Sequence, residues 1–398
     1  MKKKIIVSRT VTLPDLLRIR LYEKSPEFGP RVLFFSGGTA LNDTSRVLKK
    51  FTHNSIHFVT PFDSGGSSAV LRNAFDIPAI GDLRSRLMAL ADDTISGHPE
   101  IYQLFAYRLS KTAKRRELLS QLNNMIEGKE PLISAIKKPI RKLICNHLSL
   151  FLERMPENFD LKGASIGNLI LTAGYLNNKR HLDPVIFLFS KLVNALGHVS
   201  PIVDDSLHLA VTLENGKRIY GQHLITGKET QPLKSPIKDL YLIKNLKNNK
   251  TATSHISNKK RKEIINANLI CYPPGSFYSS VAANLLPEGV GQAIANNPCP
   301  KVYIPNLGID PESIGMSLEQ SVFKLLEILR RDAGNACPAN KLLNFIFIDS
   351  ENGLKLDNSS KRKLRKAGID ILDTRLTNKQ GNTQYDPQLL VMNILSLT

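Results

Sequence analysis

The sequence predicts an α/β fold: a Rossmann-like, mostly parallel sheet with helices on both faces, carrying a helical insertion and a small β-hairpin excursion. Three observations predict it. The stretch Arg31–Gly38, RVLFFSGG, holds an unbroken apolar run, Val32 to Phe35, that suits a strand buried on both faces. A helix-like segment follows, with Leu41, Val47, Leu48 and Phe51 at helical spacing, and then a second strand, Ser55–Thr60. Strand, crossover helix and strand make a βαβ unit, and hence a parallel sheet. Finally, both strands end in glycine- and serine-rich loops, Ser36-Gly37-Gly38-Thr39 and Asp63-Ser64-Gly65-Gly66-Ser67-Ser68. Such loops lie at the carboxyl edge, where open α/β sheets bind ligands.

Taken in order, residues 1–30 read as a lead-in, and 31–97 as the first part of the Rossmann-like domain. Within 31–97, PAIGDLRSRLMALADD (78–93) repeats Leu83, Leu87 and Leu90 on one helix face, with Asp82 as an N-cap. Arg84 and Arg86 sit in its first turn, where the helix dipole disfavours cations. That placement suits an anionic partner or, more simply, a surface. Residues 98–160 are helical in pattern and rich in Lys and Arg, and form the insertion. The remainder, 161–398, opens with Ser165 as an N-cap and Asn168 in the first turn of an apolar helix. Glu214-Asn215-Gly216-Lys217 between alternating runs predicts a hairpin. It lies inside an excursion at about 200–262 whose later part, 227–262, reads as polar loop. Strands are expected at 268–272, 301–304, 343–348 and 369–372, and helices at 276–286, 317–331 and 386–397.

The chain has 398 residues, 42% of them hydrophobic, with 54 Lys+Arg against 35 Asp+Glu for a net charge of +19. Its basic start holds only Ile5-Ile6-Val7 before Ser8, too short for a signal peptide, so a cytoplasmic protein is expected, away from the membrane. Four scattered cysteines without a CxxC pair predict free thiols rather than disulfides or a zinc site. The charge gathers in runs such as Lys137–Lys138 and Lys259–Lys262 with no stacking aromatics between them. This argues against nucleic acid as the partner.

Several of these loops share wording as well as form. SGGTAL (36–41), DSGGSSAVLR (63–72), GDLRSRLMALAD (81–92), SIGNLILTA (165–173), PPGSFYSSVAANLL (273–286) and KVYIPNLG (301–308) occur in this order. The combination resembles the superfamily of 2-phospho-L-lactate transferase and the gluconeogenesis-factor (YvcK-like) proteins, and most of all the CofD-like proteins of bacterial GAK clusters. The resemblance implies a nucleotide ligand at the strands' carboxyl edge. In the transferase branch, a nucleoside-diphosphate-linked phospholactyl group passes to a deazaflavin hydroxyl with Mg²⁺ assisting; in the YvcK-like branch, the ligand is a UDP-sugar and the role regulatory. The chain departs from the pattern where the usual triple glycine reads Ser36-Gly37-Gly38 and a further glycine is Ala40, where Ser64 follows Asp63 instead of a second aspartate, and where Pro273 replaces a glycine.

The expected site follows. Asp63 is the catalytic candidate, holding Mg²⁺ or the incoming hydroxyl, while a ribose contact or a helix cap stay open for it. Gly37, Gly38, Thr39, Ser64, Gly65, Gly66, Ser67 and Ser68 are expected to cradle phosphate, as backbone N–H groups do at a helix start. Arg72 and Arg84 are expected on phosphate oxygens, Gly275, Ser276 and the nearby amides on a second phosphate, and Asp82, Asn168, Tyr278 and Asn306 around them. A protein partner on the helical insertion and a homodimer are both open.

Overall fold

The computed structural model describes residues 10–94, 97–227, 231–247, 250–378 and 383–398. Seven strands form one parallel sheet: β1 (Val32–Ser36), β2 (Ile56–Val59), β3 (His198–Pro201), then, after an excursion holding four others, β8 (Leu269–Tyr272), β9 (Lys301–Tyr303), β10 (Phe345–Ile348) and β11 (Asp370–Asp373). The order across the sheet is β3-β2-β1-β8-β9-β10-β11. Numbered within the sheet, this is the doubly wound arrangement 3-2-1-4-5-6-7. The chain reverses its direction of travel between β1 and β8, the place where such sheets open a ligand crevice.

The burial of β1 explains its apolar run. Val32 and Phe34 face a core made with Leu48, Cys271, Val302 and the terminal helix Pro387–Ser396. Leu33 and Phe35 face the opposite core, with Phe35 stacked on Tyr272 at 5.9 Å. Both sets are fully buried, so neither face tolerates the polar alternation of a half-exposed strand.

The connection from β2 to β3 holds every helix of the insertion: Pro99–Ala106, Arg115–Ile126, Pro131–Ser134 and Ile140–Arg154. The insertion shares one core with the flanking helices. Phe151 packs on Phe75 and Phe159, and Phe105 stacks on Phe189 at 4.2 Å. Its lysines, Lys137 and Lys138 among them, remain exposed.

The excursion after β3 is larger than a hairpin. β4 (His208–Leu213) and β5 (Arg218–Tyr220) pair around the expected Asn215-Gly216 turn, with Gly216 at φ +83°. The 227–262 stretch, expected as loop, instead supplies β6 (Ile237–Ile243), β7 (Thr251–Ala252) and most of the helix Asn258–Ile265. Within it, residues 228–230 and 248–249 lie outside the described residues. The four strands form an antiparallel sheet, β5-β4-β6-β7. Its buried Leu209, Val211, Leu240 and Leu242 join the core under Leu33 and Phe35. Burial of that face is the physical reason a lysine-rich stretch still folds.

The four cysteines are free thiols, of which only Cys271 is fully buried. Among the described residues, no helix is long and apolar enough to cross a membrane.

Candidate functional site

At the carboxyl edge, beside the gap between β1 and β8, lies a cavity of ≈ 340 Å³. The loop after β1 brings Gly38 and Thr39, and the loop after β2 brings Thr60, Asp63, Gly65 and Gly66. Two helices start at the cavity. Gly66–Phe75 opens on it with Gly66, Ser67 and Ser68, and Gly81–Leu90 with Gly81 and Asp82. Neither helix has a side-chain cap. The N–H groups of Gly66, Ser67, Ser68 and Gly81 have no protein acceptor among the described residues. Unsatisfied N–H groups at helix starts carry partial positive charge and suit an anion.

The glycines are there for space and conformation. A Cβ on Gly37 would lie 2.9 Å from Thr60 Oγ1 and 3.0 Å from Ser280 Oγ. Gly38 and Gly66 adopt φ +43° and +47°, where β-carbons are disfavoured.

Three arginines separate into three roles. Arg84 borders the cavity, its Nη1 donating to the Phe105 carbonyl at 3.1 Å. Burial, and then the nearby Arg108, lowers its pKa to about 10. Arg108 is a second cation in the lining and was not expected from sequence. Arg86 is fully buried, a correction to the surface reading. Its Nη1 donates to Ser45 Oγ at 2.6 Å, and Nη2 lies 3.5 Å from Ser36 Oγ and from the Gly38 carbonyl, behind the glycine loop. Arg72, expected on phosphate, is turned away from the cavity. It donates to the Asp63 and Leu207 carbonyls at 2.9 and 2.6 Å and lies 3.3 Å from His208 Nε2. Burial lowers its pKa to about 10, against the opposing pull of Asp63.

Of the two carboxylates, only Asp82 departs from its expected place. Asp63 borders the cavity and accepts from the Gly65 N–H at 3.1 Å. Asp82 does not cap its helix; Oδ2 accepts from the Gly38 N–H at 2.7 Å, bridging the first and third loops. Ser64 Oγ lies 2.8 Å from Nδ1 of His223, a residue of the excursion. Gln222, His223 and Thr226 thus line the cavity, although no glycine loop or capping motif in the sequence signalled them.

The loop after β8 has most of its amides engaged. Ser276, Ser279 and Ser280 reach the cavity. However, the Phe277 N–H donates to Asp310, the Tyr278 and Ser279 N–H groups donate to Glu312, and the Gly275 N–H donates to Asn306 Oδ1. Of the amides expected to hold a second phosphate, those of Gly275, Phe277, Tyr278 and Ser279 are therefore already occupied by acceptors from the next loop, whereas the Ser276 N–H has no protein acceptor among the described residues. The expected helix here is a π turn, Phe277–Val281, followed by a 3₁₀ turn. Tyr278 points inward, donating to the Ile237 carbonyl at 3.2 Å. Gly275 and Asn306 line a neighbouring cavity of ≈ 320 Å³ instead. A third cavity of ≈ 540 Å³, which includes Thr39 and Asn306, lies between the two. Asn168 is buried in the helix Ile166–Asn177, outside the cavity lining. Ser165 stands at that helix's N-cap position without capping it.

The chain is 30% identical over 290 residues to a putative gluconeogenesis factor of Thermoanaerobacterium thermosulfurigenes, covering 72% of this chain and 71% of the relative. It is 26% identical over 377 residues to the gluconeogenesis factor of Bacillus subtilis, covering 92% and 98%. Its fold matches the crystal structure of a member of the UPF0052 family from Bacillus halodurans, with TM-score 0.64, 24% identity, and coverage of 92% and 99%. The model of the family described as 2-phospho-L-lactate transferase CofD matches residues 32–383, from the first residue of β1 to the loop before the terminal helix, and the chain belongs to that family.

Proposed function

We propose that this chain binds a nucleoside-diphosphate-linked ligand by its phosphates in the ≈ 340 Å³ cavity and transfers a phospho-group from it to a hydroxyl acceptor. The observation that carries this reading is the convergence of two uncapped helix starts, Gly66–Phe75 and Gly81–Leu90, with Arg84 and Arg108 on one space. Phosphoryl-type transfer depends mainly on positioning and charge neutralisation, and these groups supply both. Membership in a family described as a transferase supports the same reading.

A Mg²⁺ ion fits this donor set. Among the described residues no three His, Cys, Asp or Glu side chains cluster as a metal site. Mg²⁺, however, commonly takes one or two carboxylates and completes its shell with phosphate and water. Asp63 would hold it, with Asp82 the other carboxylate in the lining. The ion would neutralise charge on the phosphates. The chain's own residues do the rest: the open amides orient the phosphates, and the arginines stabilise charge on the leaving group.

A second reading, a UDP-sugar-binding regulator without a reaction, draws on two observations. Relatives carry the name gluconeogenesis factor, and Ser64 beside Asp63 is engaged by His223, leaving one carboxylate on that loop. Thermal stabilisation by GDP, UDP and UDP-glucose, each with and without Mg²⁺, separates the readings. Ligand at a hundred times its Kd adds about 2.7 kcal/mol. Mg²⁺-dependent stabilisation by the diphosphates is expected for transfer, and Mg²⁺-independent stabilisation by UDP-glucose alone for regulation; no shift with any of them sinks both. Asp63→Asn keeps an acceptor for the Gly65 N–H, so stability should change by less than about 0.5 kcal/mol, while the Mg²⁺-dependent part of the shift disappears. Its persistence would remove Asp63 from the site.

A further inference from the structure

One wall of the cavity comes from outside the parallel sheet. The short helix Gln222–Ile225 follows β5, and Gly221 turns the chain into it at φ +102°. A Cβ at that turn would lie 2.9 Å from His223 Cε1, so the glycine lets the ring pack over the turn. The ring is also held from the other side. Nδ1 lies 2.8 Å from Ser64 Oγ, and the same oxygen accepts from the His223 backbone N–H at 3.2 Å. Gln222 Oε1 accepts from the Ser64 N–H at 3.4 Å. With Nδ1 committed to Ser64, Nε2 is the ring nitrogen left for another partner. It has no hydrogen-bond partner among the described residues, on a residue that lines the cavity.

The phosphate-facing donors belong to the loops of the parallel sheet, and they suit any ligand that carries phosphates. The wall of Gln222, His223 and Thr226 differs in kind. It presents an imidazole and a carboxamide, groups that exchange hydrogen bonds in both directions, and the Thr226 hydroxyl, which donates to the His223 carbonyl at 3.2 Å and is left as an acceptor. Such a wall matches hydroxyl groups rather than a further phosphate.

We propose that this wall reads the group the ligand carries beyond its phosphates, a neutral hydroxyl-bearing group such as a sugar. His223 Nε2 makes the contact, and Ser64 is the positioning residue that orients the ring. The inference rests on the phosphate reading of the cavity and adds to it which residues set specificity.

The test is calorimetric titration of the whole chain with two probes, Mg²⁺·pyrophosphate and Mg²⁺·UDP-glucose. Wild type is compared with His223→Ala, His223→Gln, Ser64→Ala and the double variant Ser64→Ala/His223→Ala. Pyrophosphate affinity should stay within about twofold throughout, since the phosphate donors are untouched. UDP-glucose affinity should fall about tenfold in His223→Ala, the scale of one lost hydrogen bond. His223→Gln, whose amide reaches the Nε2 position, should recover most of it. Ser64→Ala should lose less, and the double variant no more than His223→Ala alone, because Ser64 acts through the ring. Equal losses with both probes would make His223 part of the phosphate cradle and overturn the proposal. Unchanged UDP-glucose affinity would overturn it as well, as would additive losses in the double variant. If neither probe binds wild type, the phosphate reading itself fails, a different outcome from any of these. Thermal midpoints of the ligand-free variants check that each has folded.

Discussion

The two sheets contribute to the site in opposite ways. The parallel sheet brings backbone: its loops end in glycine, and its helices start uncapped at the cavity. The antiparallel sheet brings side chains, with His223 set against Ser64. Phosphate binding needs little more than amides and cations, so it can rest on glycine loops. Discrimination between attached groups needs shaped side chains, which the β5–β6 connection supplies. The two are nonetheless one folding unit, because Leu209, Val211, Leu240 and Leu242 share a core with Leu33, Phe35, Ile270 and Tyr272. The comparison is broken most directly at Phe35, fully buried beside Phe58 and Tyr272. Phe35→Ala should cost about 3–5 kcal/mol. Urea unfolding followed by hydrogen exchange at β4 and at β8 should show both strands losing protection together. A separate, later loss at β4 would make the antiparallel sheet an independent domain.

Arg72 and Arg84 sharpen the comparison at the join. Arg72 ties the β2 loop to the segment entering β4 through the Asp63 and Leu207 carbonyls. Removing it strands the buried Leu207 carbonyl and the half-buried Asp63 carbonyl, and each such loss costs about 1–3 kcal/mol when the acceptor is buried. Arg72→Met should therefore destabilise the chain by about 2–3 kcal/mol, read from the urea midpoint. Arg84→Gln should act on the ligand instead. It should lower pyrophosphate affinity by about tenfold or more, since a hydrogen bond to a charged group contributes about 1.5–3 kcal/mol, while the unfolding midpoint moves less than in Arg72→Met. If the two variants behaved alike, the division between a tying arginine and a ligand-facing arginine would fail.

β1, β2, β8, β9 and β10 were legible as mostly apolar runs buried along nearly their whole length; β11 was expected although it is partly exposed, and β3, His198–Pro201, whose histidine and serine break any apolar run, was missed. The glycine loops were legible because Gly38 and Gly66 need positive φ. Other features were obscured for identifiable reasons. Ser64 and His223 lie 159 residues apart in sequence, and no local pattern reports their pairing. β6 repeats Ile237, Leu240 and Leu242 toward the core, but Lys238 and the lysines at 244, 247 and 250 made its neighbourhood read as loop. Arg84 and Arg86 look equivalent as letters. Two positions on a helix are about 200° apart, so one faces the cavity and the other is buried under Ser45. The same period places Asp82 and Arg86 on one face, which helical spacing could have told. The amides after β8 looked open because their acceptors, Asp310 and Glu312, come from a loop more than thirty residues further on.

The smallest effect separates the sheets by pH. His57, on β2, is fully buried and stacked on Phe34. Burial, then Arg86 and His198, holds its pKa well below the ordinary value of 6.5. His208, on β4, is lowered to about 4 by burial and then by Arg72. In both cases the unfolded chain takes up a proton near pH 6.5 that the folded chain refuses. The unfolded state therefore binds more protons below that value, and stability falls as pH falls. With an unfolded pKa of 6.5, His57 should contribute a loss of about 1 kcal/mol between pH 7 and 5.5. His208, at about 4, also lies below this window and should contribute about as much; the two part only near pH 4, where His208 takes up its proton in the folded chain and its contribution levels off. His57→Gln and His208→Gln should flatten the stability profile alike over this window, and below about pH 4 His57→Gln should flatten it more. A profile flattened more by His208→Gln would place the stronger desolvation in the antiparallel sheet, and would mean that its face toward Arg72 is drier than the middle of the parallel one.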